Sequence, residues 1–318
     1  MAPAGLRALL TGIIDYAGLF PPAQLPLDES IRNYTRYRTE PESWMLGRFI
    51  CPAAGLSELS PYVDELFRDA PPLAMSALGR GGKDSAEFRD GLRQDVNDIA
   101  DFRRKHGARV TVDVLEARLP AGVPAEELTE LFLTAGRLTD PGGPKGITPF
   151  FEVPLSHEWP PVVVALVSAG KRLRQSSPIG GLKLRCGGVE ASAFPSPTRV
   201  ASAMSASRAG GIPLKFTAGL HHPARRHDAG IGVMMHGFLN VFVAGVLATA
   251  RGLDATAVRE IVGEEDAASF AFSDDGLRWR YHIASVTEID FARRLAVTSF
   301  GSCSFDEPRD DLRTLGLL

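Results

Sequence analysis

Apolar residues recur along the chain in two rhythms. Short stretches alternate apolar and polar positions, as in Val110-Thr-Val-Asp-Val, the mark of a strand with one covered face. Between them lie longer stretches with apolar residues at three- and four-residue steps, as in Phe88, Leu92, Val96, Ile99 and Phe102, the mark of an amphipathic helix. In order, the pattern predicts strands over 11–15, 48–51, 73–78, 109–116 and 147–153, then one around Lys183 and one over 214–217. Helices are predicted over 27–38, 56–68, 84–106, 125–138, 161–174 and 197–208. Asp28 and Glu29 suit a helix start, Gly107 closes the fourth helix, and the turn Asp140-Pro-Gly-Gly-Pro precedes the fifth strand.

From Pro223 the regular alternation breaks. The pattern there predicts helices over 233–251, 255–262 and 286–295, with a hairpin over 270–283 around Asp274-Asp-Gly. The stretch 296–305 supplies an eighth strand and a Gly-Ser-rich loop. Eight strand–helix units predict a single α/β domain, a (β/α)8 TIM barrel, with 223–295 as an α+β insertion between strands seven and eight. The 318-residue length suits one such barrel, and 44% hydrophobic with 23% charged residues is ordinary for a large packed core.

Charge and targeting signals narrow the partners. A formal charge of −3 and no Lys/Arg run longer than a pair exclude a basic face for nucleic acid. The longest nearly apolar run, Phe238 to Ala250, is too short for a membrane span and contains Asn240. Met-Ala-Pro-Ala-Gly-Leu-Arg does not read as a signal peptide, so a cytoplasmic location is expected. Three scattered cysteines read as reduced thiols.

The candidate chemistry lies on strands six and seven. Leu182, Leu184 and Cys186 alternate with Lys183 and Arg185, and Leu214 and Phe216 alternate with Lys215 and Thr217. With helices covering the apolar faces, the cationic faces point into the barrel, where ammonium groups must be paired or deprotonated. This implies either chemistry on an anionic ligand or buried ion pairs with inner-face carboxylates. Glycine follows both strands where a ligand would approach. By the same parity Asp113 faces inward, and Glu152 joins it as an acid–base candidate, with Asp15 at the end of strand one.

Several short motifs together resemble the deoxyribose-phosphate aldolase family, barrel aldolases that work through a lysine Schiff base. They are Lys183-Leu-Arg-Cys-Gly, Lys215-Phe-Thr-Ala-Gly, Val112-Asp113-Val114, Phe49-Ile50-Cys51-Pro52 and Gly301-Ser302-Cys303-Ser304. The resemblance spans residues 11 to about 222 and 296–305. It implies Lys183 as imine former, Lys215 as second lysine, Asp113 as proton relay, and a phosphate loop at Gly301, Ser302 and Ser304. The chain departs from the family at Arg185 and Cys186, and at Gly219-Leu-His-His. Physically, a neighbouring cation depresses an amine's pKa, and Arg185 and Lys215 are the neighbours on hand.

The expected activity is therefore a carbon–carbon lyase, needing no cofactor, on a small anionic carbonyl compound, phosphorylated or carboxylated. The imidazoles offer an alternative. His221 and His222 after strand seven and His236 in the insertion, with Glu152 or Asp15, suggest a divalent-metal lyase, isomerase or hydrolase; a non-catalytic binding barrel is the third reading. Asp15, Arg185, Thr217, His221, His222 and His236 are also substrate-binding candidates. Asp306-Glu-Pro and Arg309-Asp-Asp-Leu-Arg read as a solvated end segment. Finally, the helix over 233–251 is apolar on more than one side, so the insertion is expected to be an active-site wall and a homodimer contact, or a cover within the chain.

Overall fold

A computed structural model describes residues 2–140, 146–175 and 178–318. Eight parallel strands form a closed barrel: β1 (Ile14–Tyr16), β2 (Leu46–Pro52), β3 (Leu73–Leu78), β4 (Val110–Arg118), β5 (Thr148–Glu152), β6 (Gly181–Arg185), β7 (Leu214–Thr217) and, last in the chain, β13 (Val297–Ser302), which pairs with both β7 and β1. The helices α1 (Ala4–Leu10), α2 (Leu27–Tyr37), α3 (Ser60–Leu66), α4 (Ser85–His106), α5 (Ala125–Thr139), α6 (Trp159–Arg172) and α7 (Pro197–Gly210) alternate with the strands. The expected (β/α)8 barrel is therefore the fold. The turn expected at 140–144 lies, apart from Asp140, outside the described residues.

Local chemistry accounts for the element ends. The Asp84 side chain accepts the Ala86 and Glu87 N–H groups at 2.9 Å, satisfying donors that the first turn of α4 leaves open. Arg103, Arg104, Lys105 and His106 fill its last turn, where the helix dipole favours cations. Gly107, at φ +57, ends it.

The barrel ladder is interrupted in three places. Register shifts fall between Met75 and Ser76 against β4, between Ile14 and Tyr16 against β2, and between Val297 and Phe300 against β7. In β4, Val112 pairs with Met75 but Val114 pairs with Ser76, so Asp113 is an extra residue. A bulge of this kind reverses which side chains face inward from that point on.

Beyond β7 the chain forms a small hairpin, β8 (Arg226–Asp228) with β9 (Val233–Met235), then α8 (Phe238–Arg251), α9 (Ala255–Gly263), a three-stranded antiparallel sheet of β10 (Phe270–Phe272), β11 (Gly276–Trp279) and β12 (His282–Ser285), and α10 (Val286–Leu295). After β13 comes α11 (Asp306–Thr314). The helix expected from 233 starts five residues later, because 233–235 pairs with 226–228 instead. Its apolar excess is explained inside the chain. Phe242 meets Phe216 and Phe300 at ring-centroid distances of 5.3 and 5.9 Å, while α9, α10 and β12 pack on the other sides. Every residue from Phe238 to Ala248 is buried, so α8 itself offers no apolar face to a second subunit. No described helix is long and apolar enough to cross a membrane.

Asn240 is the polar exception in α8. Its amide N–H2 donates to Ile261 O at 2.9 Å and Glu264 O at 2.7 Å, and its Oδ1 accepts the Arg225 N–H at 2.9 Å. These bonds satisfy the open carbonyls where α9 ends and pin the loop leading to β8. Asn240→Leu is expected to lower unfolding free energy by roughly 2–4 kcal/mol in urea titrations, because buried backbone groups lose their partners.

Candidate active site

The carboxyl ends of the strands enclose a cavity of about 510 Å³, the place where barrels of this type carry their sites. Lys183, at the centre of β6, is buried at its floor. Its Nζ lies 2.9 Å from Glu116 Oε2 and 2.8 Å from Glu152 Oε2. Lys215, its register partner on β7, is buried beside it, 3.1 Å from Glu116 Oε1 and in a close ion pair with Asp15. Glu116 thus bridges the two lysines. Ser76 donates to Glu116 Oε1 at 2.7 Å, Ser299 donates to Asp15 Oδ2 at 2.8 Å, and the Arg48 N–H donates to Asp15 Oδ1 at 2.6 Å. Arg185, one layer above Lys183, gives its Nε–H to Glu152 Oε1 at 3.1 Å.

Electrostatics follow from these contacts. Burial alone pushes the Lys183 ammonium toward deprotonation, but Glu116 and Glu152 outweigh it and hold its pKa above the ordinary lysine value. Burial likewise works against the two carboxylates, yet Lys183 with Lys215 brings Glu116 down to about 2, and Lys183 with Arg185 brings Glu152 down to about 2. The expectation that Arg185 depresses the lysine is therefore corrected: Arg185 is occupied by Glu152, and the nearest groups to Lys183 are acids.

The remaining candidates divide into those near the cavity and those away from it. Thr217, His221, His222, Gly301 and Ser302 line it. Asp113 does not. Its bulge places it toward the amino ends of the strands, bound by Arg48 at 2.8 and 2.6 Å, in a separate cavity with Thr148 and Thr298. Asp15 is the buried partner of Lys215 and does not line the upper cavity. His236 is buried between β9 and α8, where its Nε2–H donates to Pro195 O at 2.7 Å and its Nδ1 accepts from Arg225 at 3.3 Å. It pins the loop after β6, and burial lowers its pKa to about 4.

The glycines after strands six and seven border the cavity, through Gly188 and Gly219, and they serve the chain as well. Gly219, at φ +69, would bring a Cβ to 2.7 Å from Cys186 O and Gly187 Cα, so the two loops touch backbone to backbone. That kink leaves both imidazoles in a loop facing α11, with His221 Nδ1 3.0 Å from Glu307 Oε2 and His222 Nδ1 2.6 Å from Asp311 Oδ2. The segment read as solvated is thus part of the cavity wall through Glu307. Ser304 is turned to that helix: its Oγ accepts the Glu307 N–H at 3.1 Å, and its carbonyl accepts from Ser302 at 2.7 Å.

Among the described residues no group of three or more His, Cys, Asp or Glu side chains is arranged to hold a metal ion. Glu152 points to cations and the His pair to α11, so the donor set of the metal alternative is not assembled. The three cysteines are free.

Glu116, Ser76 and Ser299 were missed by the alternation argument. The available signal was the spacing of Asp113 and Glu116. Two acids three residues apart cannot both face inward on a regular strand, while Lys183, Lys215 and Arg185 are one cation more than Asp15 and Glu152 balance. In comparisons with known proteins, no family model matches the chain and no curated protein matches it significantly.

The acid limb of stability carries the signature of this site. Glu116 and Glu152 have folded pKa values below their unfolded 4.5, so their contribution is complete above pH 4.5 and is lost as pH falls toward 2. His236, neutral when folded, contributes a separate loss as pH falls from its unfolded 6.5 toward 4. Lys183, raised, keeps its share at all pH values below 10.5. Urea midpoints measured from pH 7 to 2.5 should fall across both windows, and His236→Gln should flatten the upper one.

Proposed function

We propose that the protein is a carbon–carbon lyase working through an imine on Lys183, in the manner of the aldolases its motifs resemble. Barrels of this fold are commonly enzymes, with active sites at the carboxyl ends of the strands. The observation that carries the reading is the position of the Lys183 amine at the cavity floor between two ionised carboxylates, one of them shared with Lys215.

In this reading the resting Lys183 is an ammonium ion. A carbonyl compound entering the cavity displaces a carboxylate contact, the amine passes a proton to that carboxylate, and its lone pair attacks the carbonyl carbon. Loss of water gives the iminium. Glu116 takes the strand-four acid's place that the motif had put at Asp113: it accepts the substrate hydroxyl proton as the carbon–carbon bond breaks and its electrons enter the iminium to give an enamine. Reprotonation of the enamine and hydrolysis return Lys183. No cofactor is needed for these steps.

A non-catalytic barrel is the second reading, and the full pairing of both lysines favours it, since such a network also serves as internal structure. Reductive trapping separates the two. With cyanoborohydride and 3-phenylpropanal, succinic semialdehyde or glycolaldehyde phosphate, at least one aldehyde should leave a reduced adduct on the Lys183 peptide, absent in Lys183→Arg. Trapping should rise from pH 7 to 9, because the raised pKa makes the free amine scarce at neutrality. Glu152→Gln removes one acid that holds the ammonium, so it should speed trapping at pH 7 several-fold. Labelling confined to other lysines under all three aldehydes overturns the imine reading.

A further inference from the structure

We infer that the cavity selects an uncharged carbonyl compound with an apolar arm, in place of the phosphorylated or carboxylated one expected from the sequence. The carbonyl part of this inference rests on the imine reading; the apolar part rests on the cavity wall alone.

The first observation is charge. The charged groups lining the cavity, the histidines aside, are two cations, Lys183 and Arg185, against four carboxylates, Glu116, Glu152, Asp228 and Glu307. Both cations are already bound to Glu152, and Lys183 to Glu116 as well. Asp228 is held ionised chiefly by the Ile231 N–H, and Glu307 by its bond from His221. Arg185 has the most open cationic head of the site, with 39% of its side chain exposed, yet its charge is shared with an acid that also neutralises Lys183. An entering phosphate or carboxylate meets no surplus positive charge and two acids at the rim.

The loop proposed for phosphate points the same way. Ser302 Oγ donates to Ser304 O, and Ser304 Oγ is taken by the first turn of α11. That turn carries Asp306 and Glu307, so the helix N-terminus there is already neutralised by its own acids.

The second observation is the wall. Above the charged floor, Phe20, Ile50, Leu78, Leu220, Ile231 and Met235 face the cavity. Val189, also in the wall, is 70% exposed. An apolar side chain left that open at a cavity rim gains by contact with an apolar ligand. Ile231 is held there by the turn between β8 and β9, where its N–H bonds Asp228 Oδ1 at 2.9 Å. The 510 Å³ volume accommodates a molecule larger than a three-carbon fragment.

Calorimetry at pH 7.5 with 3-phenylpropan-1-ol tests the wall without any imine, since the alcohol has no carbonyl. It should bind at least tenfold more tightly than 2-phosphoglycolate or succinate. Val189→Asp, at an open position, and Ile231→Asn, at a half-buried one, should each weaken the alcohol at least fivefold while keeping the urea midpoint. Equal or tighter binding of either anion, no binding of the alcohol, or unchanged affinity in both variants overturns the inference. The two readings fail separately. Absence of a Lys183 adduct with the alcohol bound as expected removes the imine and leaves an apolar binding cavity; a Lys183 adduct formed best by the phosphorylated aldehyde keeps the imine and removes the apolar selection.

Discussion

Two lysine ammonium groups inside a barrel are the constraint on which the rest of the interior depends. Each is worth several kcal/mol of lost hydration unless acids meet it, and the barrel answers with Asp15, Glu116 and Glu152 contributed by three different strands. The demand propagates outward. Ser76 and Ser299 are small enough to sit inside and polar enough to fill the remaining acceptor positions. At Gly47 even a methyl group would run into the Asp15 carboxylate, so β2 passes that acid only because it has no side chain there. Removing one acid leaves a buried cation short of a partner, which costs more than the same change at the surface.

The strand–helix alternation carried the fold because it depends on which face is apolar, and helix cover makes that demand uniform around a barrel. Lys183, Lys215 and Glu152 were legible for the same reason: charge on the wrong face of an apolar strand is visible in the sequence. What alternation cannot see is an added residue. The bulge at Asp113 moved the strand-four acid from Asp113 to Glu116, and nothing in a two-residue period marks where the period slips. The glycines after β6 and β7 meet two demands at once, because a close approach by another loop and one by a ligand impose the same requirement on a side chain. His236 and α11 were misjudged for a third reason, that their partners are remote: Pro195 lies 41 residues from His236, and Glu307 86 residues from His221.

The helix α8 shows the same limit from another side. An element apolar all round must be covered all round, but the sequence does not say by what. Here the chain covers it with its own α9, α10 and three-stranded sheet, so the material between β7 and β13 is a second layer over the barrel. Asn240 makes that layering specific. A wholly apolar α8 could pack against α9 in several ways, whereas two directed hydrogen bonds to the end of α9, with a third from the Arg225 N–H, favour one.

The charge balance of the floor also bears on which chemistry it suits. Lys183, Lys215 and Arg185 face Asp15, Glu116 and Glu152, three cations to three acids, so any step that changes the net charge works against a paired network at the cavity floor. An iminium on Lys183 carries the same single positive charge as the ammonium it replaces. In the proposed chemistry the acids that hold the resting ammonium therefore hold the iminium equally, and when the neutral enamine forms Glu116 has taken up the hydroxyl proton, so the floor stays balanced through that step as well. A bound phosphate adds two negative charges to a balanced floor, and a neutral carbonyl compound adds none. For the chemistry proposed, the same balance that keeps two lysines buried accommodates a covalent intermediate of one positive charge and a substrate of none.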